Sequence, residues 1–159
     1  MRGRILKIKA KKDRWFFDWE VYRKETKRWN QYTLSSQDPP REELKECLAA
    51  LVEHVAEICE LAPEAAENIV VLGITETHID GNRFLMITGT KKLITSTSPL
   101  VLNTPLRPEK PGKEITPECC MSERLLAALE ILEEEAWRYI NGDRAQMSLN
   151  FDGREEPAA

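Results

Sequence analysis

Asp80-Gly81 constrains the fold more than any other pair in the chain. It stands between two β-branched, apolar runs, Asn68-Ile-Val-Val-Leu-Gly-Ile-Thr-Glu-Thr-His-Ile79 and Asn82-Arg-Phe-Leu-Met-Ile-Thr-Gly-Thr90. Asp-Gly between such runs predicts a tight hairpin, because the turn needs positive φ and Gly adopts it without a Cβ penalty. Both runs are too apolar to face water on two sides. They predict the centre of a sheet with a helix over at least one face.

Upstream, Arg4–Ala10 alternates, with Leu6, Ile8 and Ala10 on one face and Lys7 and Lys9 on the other. Trp15–Tyr22 alternates again: Trp15, Phe17, Trp19 and Val21 share one side, and Phe16, Asp18, Glu20 and Tyr22 the opposite one. Polar turns at Lys11-Lys12-Asp13 and Glu25–Arg28 separate these from a third strand at Trp29–Leu34, which makes an antiparallel meander. Asp38-Pro39-Pro40 predicts a helix start. Leu44, Leu48, Leu51, Val55 and Ile58 then form one apolar stripe of a single helix of over 20 residues, ending at Pro63. Leu100–Leu102 predicts an edge strand after Pro99. Residues 104–115 hold Pro105, Pro108, Pro111 and Gly112 and predict an extended linker or surface loop. Thr116-Pro117-Glu118 predicts the start of a second helix, carried by Leu125, Leu129, Leu132, Ala136 and Tyr139 and stopped at Gly142. The expected fold is α+β: a sheet of five or six antiparallel strands over residues 1–103, covered by one long helix. A linker at 104–115, a helix at 116–142 and a flexible tail at 143–159 follow. The last helix is expected against the sheet or against a second copy of the chain in a homodimer.

Charge is unevenly distributed. The net charge is −4, but residues 1–34 carry eleven Lys/Arg against four Asp/Glu, whereas residues 114–159 carry four against eleven. Strand-like parts are basic and helix-like parts acidic. That pattern fits complementary solvated faces, or a basic sheet meeting an anion. The four cysteines form no Cys-x-x-Cys pair, and Cys47 and Cys59 lie within the helical pattern, so buried free thiols are expected rather than disulfides or metal ligands. The basic start is not followed by an apolar signal segment, and no run has the length of a membrane span. The expected setting is reducing and cytoplasmic, with no membrane partner.

Aromatic and basic residues crowd the first sheet. Lys7, Lys9, Lys11, Lys12, Arg14, Phe16, Tyr22, Lys27 and Arg28 are the candidate nucleic-acid contacts. Bases stack on aromatic rings in a basic groove, each worth roughly 1–3 kcal/mol. The other account is simpler: one aromatic face packs under the first helix and the lysines keep the opposite face soluble. A small anionic nucleotide is a third candidate ligand. Asp18 and Glu20 share a strand face, but no further acid or Lys at a convincing spacing completes a nuclease site. His54 and His78 stand apart from any metal-ligand spacing. Neither a Gly-rich phosphate loop nor a nucleophile elbow is present. No enzymatic activity, metal or cofactor is expected.

Gln146-Met-Ser-Leu-Asn-Phe151 resembles the Q-L-x-L-x-F peptide by which bacterial polymerases and repair proteins dock on the DNA sliding clamp. Gln146, Leu149 and Phe151 match, and Met147 replaces Leu with a side chain of similar volume. Such a peptide is a linear anchor: an amide fixes one end while apolar residues fill a preformed pocket. The chain also resembles a family of small phage and prophage proteins of Gram-positive bacteria. That likeness is carried by Leu44–Leu61 with its Ile-Cys-Glu-Leu end, by Lys91-Lys-Leu93, by Ser98-Pro-Leu-Val-Leu-Asn-Thr-Pro105, and by Tyr139-Ile-Asn-Gly-Asp-Arg-Ala-Gln146. The resemblance implies an accessory role in DNA replication or recombination in the bacterial host cell, and no catalytic residues. Two other roles stand beside it. One is counter-defence, by sequestering a nucleotide signal or inhibiting a host protein; the other is structural or assembly work.

Overall fold

The computed structural model describes residues 3–145. β1 (Arg4–Lys11), β2 (Arg14–Arg23) and β3 (Arg28–Ser36) form the meander, and β4 (Ile69–Ile79) and β5 (Asn82–Lys91) form the hairpin. The strand order is β3-β2-β1-β4-β5-β6, with β6 at Leu100–Asn103, and every pairing is antiparallel. The Asp80-Gly81 turn is as expected: Ile79 pairs with Asn82, and the two turn residues have φ of 51° and 77°. Positive φ at both positions matches the right-handed twist of the strands it joins.

Two local irregularities change which side chains face inward. The β1–β2 register shifts between Ile5 and Lys7, so Ile5 and Ile8 are the buried residues of β1, rather than the predicted Leu6, Ile8 and Ala10. A bulge inserts one residue and reverses the alternation beyond it, which strict period-two counting cannot register. The neighbouring β4 shifts between Val71 and Gly73. There a Cβ on Gly73 would lie 2.1 Å from the Ile8 carbonyl oxygen, so only glycine lets β1 and β4 approach this closely.

All three helices lie on the same side of the sheet. The predicted long helix is two: α1 (Glu42–Ala49) and α2 (Val52–Ile58). It begins four residues after Asp38, with no side-chain cap at Arg41. Ala50 and Leu51 form a tight turn in which the Leu51 N–H donates to Leu48 O at 3.2 Å and the His54 N–H to Leu51 O at 3.0 Å. This 3₁₀-type pinch keeps the apolar stripe in contact with the sheet past one helix length. Leu44, Leu48, Leu51 and Val55 are all buried, in one core with Ile69, Val71, Ile74, Leu85 and Ile87. The last helix, α3 (Glu123–Ile140), starts later than the sequence predicts. Ser122 caps it, accepting from the Leu125 N–H at 3.1 Å, while Pro117–Cys119 is a separate 3₁₀ turn. Gly142 ends the helix with φ 97°.

The stretch read as a linker, 104–115, is fastened along β5. Thr104 is buried, and its Oγ1 accepts from the Ile87 N–H at 2.9 Å. Arg107–Pro108 forms a seventh strand, β7, opposite Phe84 and Leu85. Asn82 exchanges hydrogen bonds with the Lys110 backbone in both directions, and the Met121 N–H donates to Pro108 O. The prolines there mark an edge strand and its bends, not a free spacer. Phe17 stacks on Tyr139 with centroids 4.8 Å apart, and Leu125, Leu129, Leu132 and Ala136 join the same core. Residues 3–142 therefore share one core, rather than dividing into a 1–103 unit and an appended helix. Among the described residues no helix is long and apolar enough to cross a membrane.

Candidate functional site

With all three helices on one side, the other face of the sheet is uncovered among the described residues. Strand register fixes its rows. Ser35, Phe16, Lys9 and Gly73 lie in line across four strands; Thr33, Asp18, Lys7 and Thr75 form the next line. Lys11 and Arg14 are opposite one another at one end, and the Arg14 guanidinium donates to Ser35 Oγ at 3.1 Å. Lys12 occupies the β1–β2 turn with φ 56°. At the far end Tyr22 pairs with Trp29 edge-on, and the Arg4 guanidinium lies 3.8 Å from the Trp29 ring centroid.

The predicted contacts therefore fall into two groups. Lys7, Lys9, Lys11, Lys12, Arg14 and Phe16 converge on one half of the open face. Lys27 and Arg28 lie at the β2–β3 turn, about five residues of β2 (roughly 17 Å) beyond Asp18, which faces Lys7, and farther still from Arg14. Tyr22 belongs with this distant end. Carboxylates also interrupt the field: Asp18 is opposite Lys7, and Glu20 holds Arg4 in an ion pair. The Lys9–Lys11–Lys12–Arg14 end has only Asp13 among its bases, and Gln37 Nε2 donates to that carboxylate at 3.3 Å.

The covered face contains a charged group that the sequence reading missed. Glu76 follows Ile74 on the inward side of β4 and is 4% exposed. Arg83, on β5, reaches Glu109 Oε1 through Nε at 3.1 Å, Glu133 Oε2 through Nη1 at 3.1 Å, and Glu76 Oε1 at 3.6 Å. Burial pushes the Glu76 carboxyl up to about 9; the neighbouring Glu133 carboxylate adds to this and Arg83 opposes it. Burial thus favours the neutral form of Glu76, while Arg83 contacts Glu109 and Glu133 directly. The signal was available: an acid in phase with Ile74 on a strand otherwise apolar on that side. Nearby, burial and then the Arg4 charge lower the His78 pKa and favour the neutral ring.

The group ties α3 and the 109 segment to the central hairpin. It also lines a cleft of about 500 Å³ together with Glu123 and Glu130. Four carboxylates around one already paired guanidinium repel an anion, so this cleft does not suit a nucleotide. Among the described residues no group of three or more His, Cys, Asp or Glu is arranged to hold a metal. His54 is buried on α2 beside Glu57. The four cysteines are free thiols but not buried as expected: Cys47 and Cys59 are half-buried at the edge of the core, Cys120 is half-buried and Cys119 is exposed.

Gln146, Met147, Leu149 and Phe151 lie outside the described residues. The chain leading to them is anchored. Arg144 donates through Nε to Tyr139 O at 2.9 Å, pairs with Asp38 at 2.6 Å, and lies over the Tyr139 ring at 4.3 Å. The Ala145 N–H donates to Pro39 O at 3.1 Å. Pro39 is two residues from Gln37, which is bonded to Asp13. Ala145, the last described residue, is therefore held at the segment that joins β3 to α1. No protein-family model, no curated protein and no solved structure matches the chain.

Proposed function

We propose that this protein is a non-enzymatic accessory factor of phage or prophage DNA replication or recombination in the bacterial cytoplasm. It docks on the host sliding clamp through Gln146, Met147, Leu149 and Phe151, and holds single-stranded DNA on the half-face formed by Lys7, Lys9, Lys11, Lys12, Arg14 and Phe16. The observation that supports this most is the anchoring of Arg144 and Ala145 at Asp38 and Pro39, beside the Lys12 turn. It holds the last described residue before the peptide at the segment joining β3 to α1, so docking of the peptide would bring the sheet to DNA at the clamp. The sequence resemblance to phage proteins supports the setting; the uncovered sheet supports the ligand.

Energetics set the expected affinity. Burying Leu149 and Phe151 contributes roughly 1.5–3 kcal/mol each. Ordering six residues opposes this at roughly 1–2 kcal/mol apiece. Ordering outweighs that burial, so Gln146 hydrogen bonds and Met147 contacts must supply the rest, and a weak affinity, about micromolar at best, is expected. Calorimetry with a bacterial clamp should show it for the full chain. A chain ending at Ala145, or one carrying Leu149→Ala with Phe151→Ala, should lose it at unchanged melting temperature. No heat from the intact chain would refute the clamp reading.

A further inference from the structure

The two edges of the sheet are finished differently. On one side β6 has four residues, follows Pro99, and shares the edge of β5 with β7. On the other, β3 runs nine residues and among the described residues pairs only with β2. From Trp29 to Ser36 it has eight consecutive residues without charge or proline, in a chain that is 31% charged. Charges, prolines and short length are the usual means of blocking an open edge. β3 has none of them past Arg28.

We infer that β3 pairs with β3 of a second copy of this chain, antiparallel about a two-fold axis near Tyr32, the midpoint of the strand. A strand with no charge at its centre meets its own copy without repulsion, and Arg28 would lie opposite Ser36 of the second copy. Trp29 and Tyr32 are 44% and 41% exposed, on opposite faces of the strand. Their four rings would bury roughly 250–400 Å² beyond the backbone contact, given about 150–250 Å² per aromatic side chain. With only these rings and one nine-residue strand in contact, the interface belongs at the small, dissociable end, so the dimer is concentration-dependent. Pairing would make one continuous sheet and place two open faces side by side. The inference stands apart from the clamp and DNA proposal.

Light scattering across concentration is the test. Wild type should shift from 18.3 kDa towards twice that mass by about 100 µM. Gln31→Lys with Thr33→Lys, two exposed positions, should remain monomeric with unchanged circular dichroism. Mixing it with Gln31→Glu/Thr33→Glu should restore a dimer. As a second measure, Tyr32→Cys should form a disulfide-linked dimer on mild oxidation, at about 5 Å Cβ separation across the axis. A wild type that stays monomeric at 100 µM, a Lys form that still dimerises, a mixture that fails to pair, or a Tyr32→Cys form no more cross-linked than wild type each overturns the inference.

Discussion

The two faces of this sheet are built from the same strands and obey different rules. On the covered face, Ile5, Ile8, Phe17, Ile74, Leu85 and Ile87 sink into a core closed by all three helices. Its charged cluster is only partly matched among the described residues: Arg83 holds Glu109 and Glu133, while Glu76, its pKa raised by burial, keeps Oε2 without a hydrogen-bond partner. The open face has lysines, threonines and Phe16 in aligned rows with nothing above them. A buried charge must be matched or neutralised on the spot, whereas a solvated one is free to meet a partner later. Stability should therefore reside almost entirely on one face and binding on the other.

Arg83→Met should break that division most severely. It leaves Glu133 and Glu109 without their cation beside a core carboxyl. The expected loss is roughly 3 kcal/mol, the low end for breaking a buried pair, because both acids keep some contact with water. Urea unfolding monitored by circular dichroism measures it. A variant within 0.5 kcal/mol of wild type, about the scatter of surface changes, would show that Arg83 does not secure α3 to the sheet.

Why the hairpin was legible and this cluster was not follows from range. Asp80-Gly81 writes its turn into two adjacent residues, and the stripe from Leu44 to Val55 writes its face into a period. The Ile5/Lys7 shift and the Ala50-Leu51 pinch leave no such mark; each is imposed by a neighbouring element. The stretch from 104 to 115 is the surface connection its prolines suggest, and only the short pairing of Arg107–Pro108 within it was not legible. Its prolines exclude a central strand but not an edge, and only β5 decides between them. Arg83 meets Glu109 and Glu133 across 26 and 50 residues, a separation no local pattern encodes. On the open face the sequence placed Lys7, Lys9 and Phe16 together correctly but could not separate them from Lys27 and Arg28, since strand length alone sets that distance.

Glu76 sharpens the comparison through pH. Its unfolded-state pKa is near 4.5 and its folded value is raised to about 9. Between these the native state holds a proton that the unfolded chain has lost, so stability declines as pH rises through that window and levels off above it. The slope from this one group is at most about 1.4 kcal/mol per pH unit. Glu76→Gln, which is neutral at every pH, should flatten the profile and melt higher than wild type at pH 8. Equal melting temperatures at pH 6 and pH 8 in wild type would mean that Glu76 does not carry a buried proton.

The smallest effect on stability should come from the open face, and there the binding effect should be complete. Changing Lys9, Lys11 and Lys12 to Glu reverses the field at the basic end while touching no buried residue. Surface changes of this kind stay within about 0.5 kcal/mol, so the melting temperature should move by no more than about 2 °C. Lys7, Lys9, Lys11, Lys12 and Arg14 together give at most five phosphate contacts. The slope of log affinity against log salt is then no steeper than about −3.5 on single strands. Fluorescence anisotropy with labelled single-stranded DNA at low salt should show binding by wild type and none by the triple variant. A large loss of melting temperature would mean that the face is packed rather than open. Unchanged affinity would move the DNA elsewhere, and no binding by wild type would remove single-stranded DNA from the proposal while leaving the clamp tail to be judged by calorimetry.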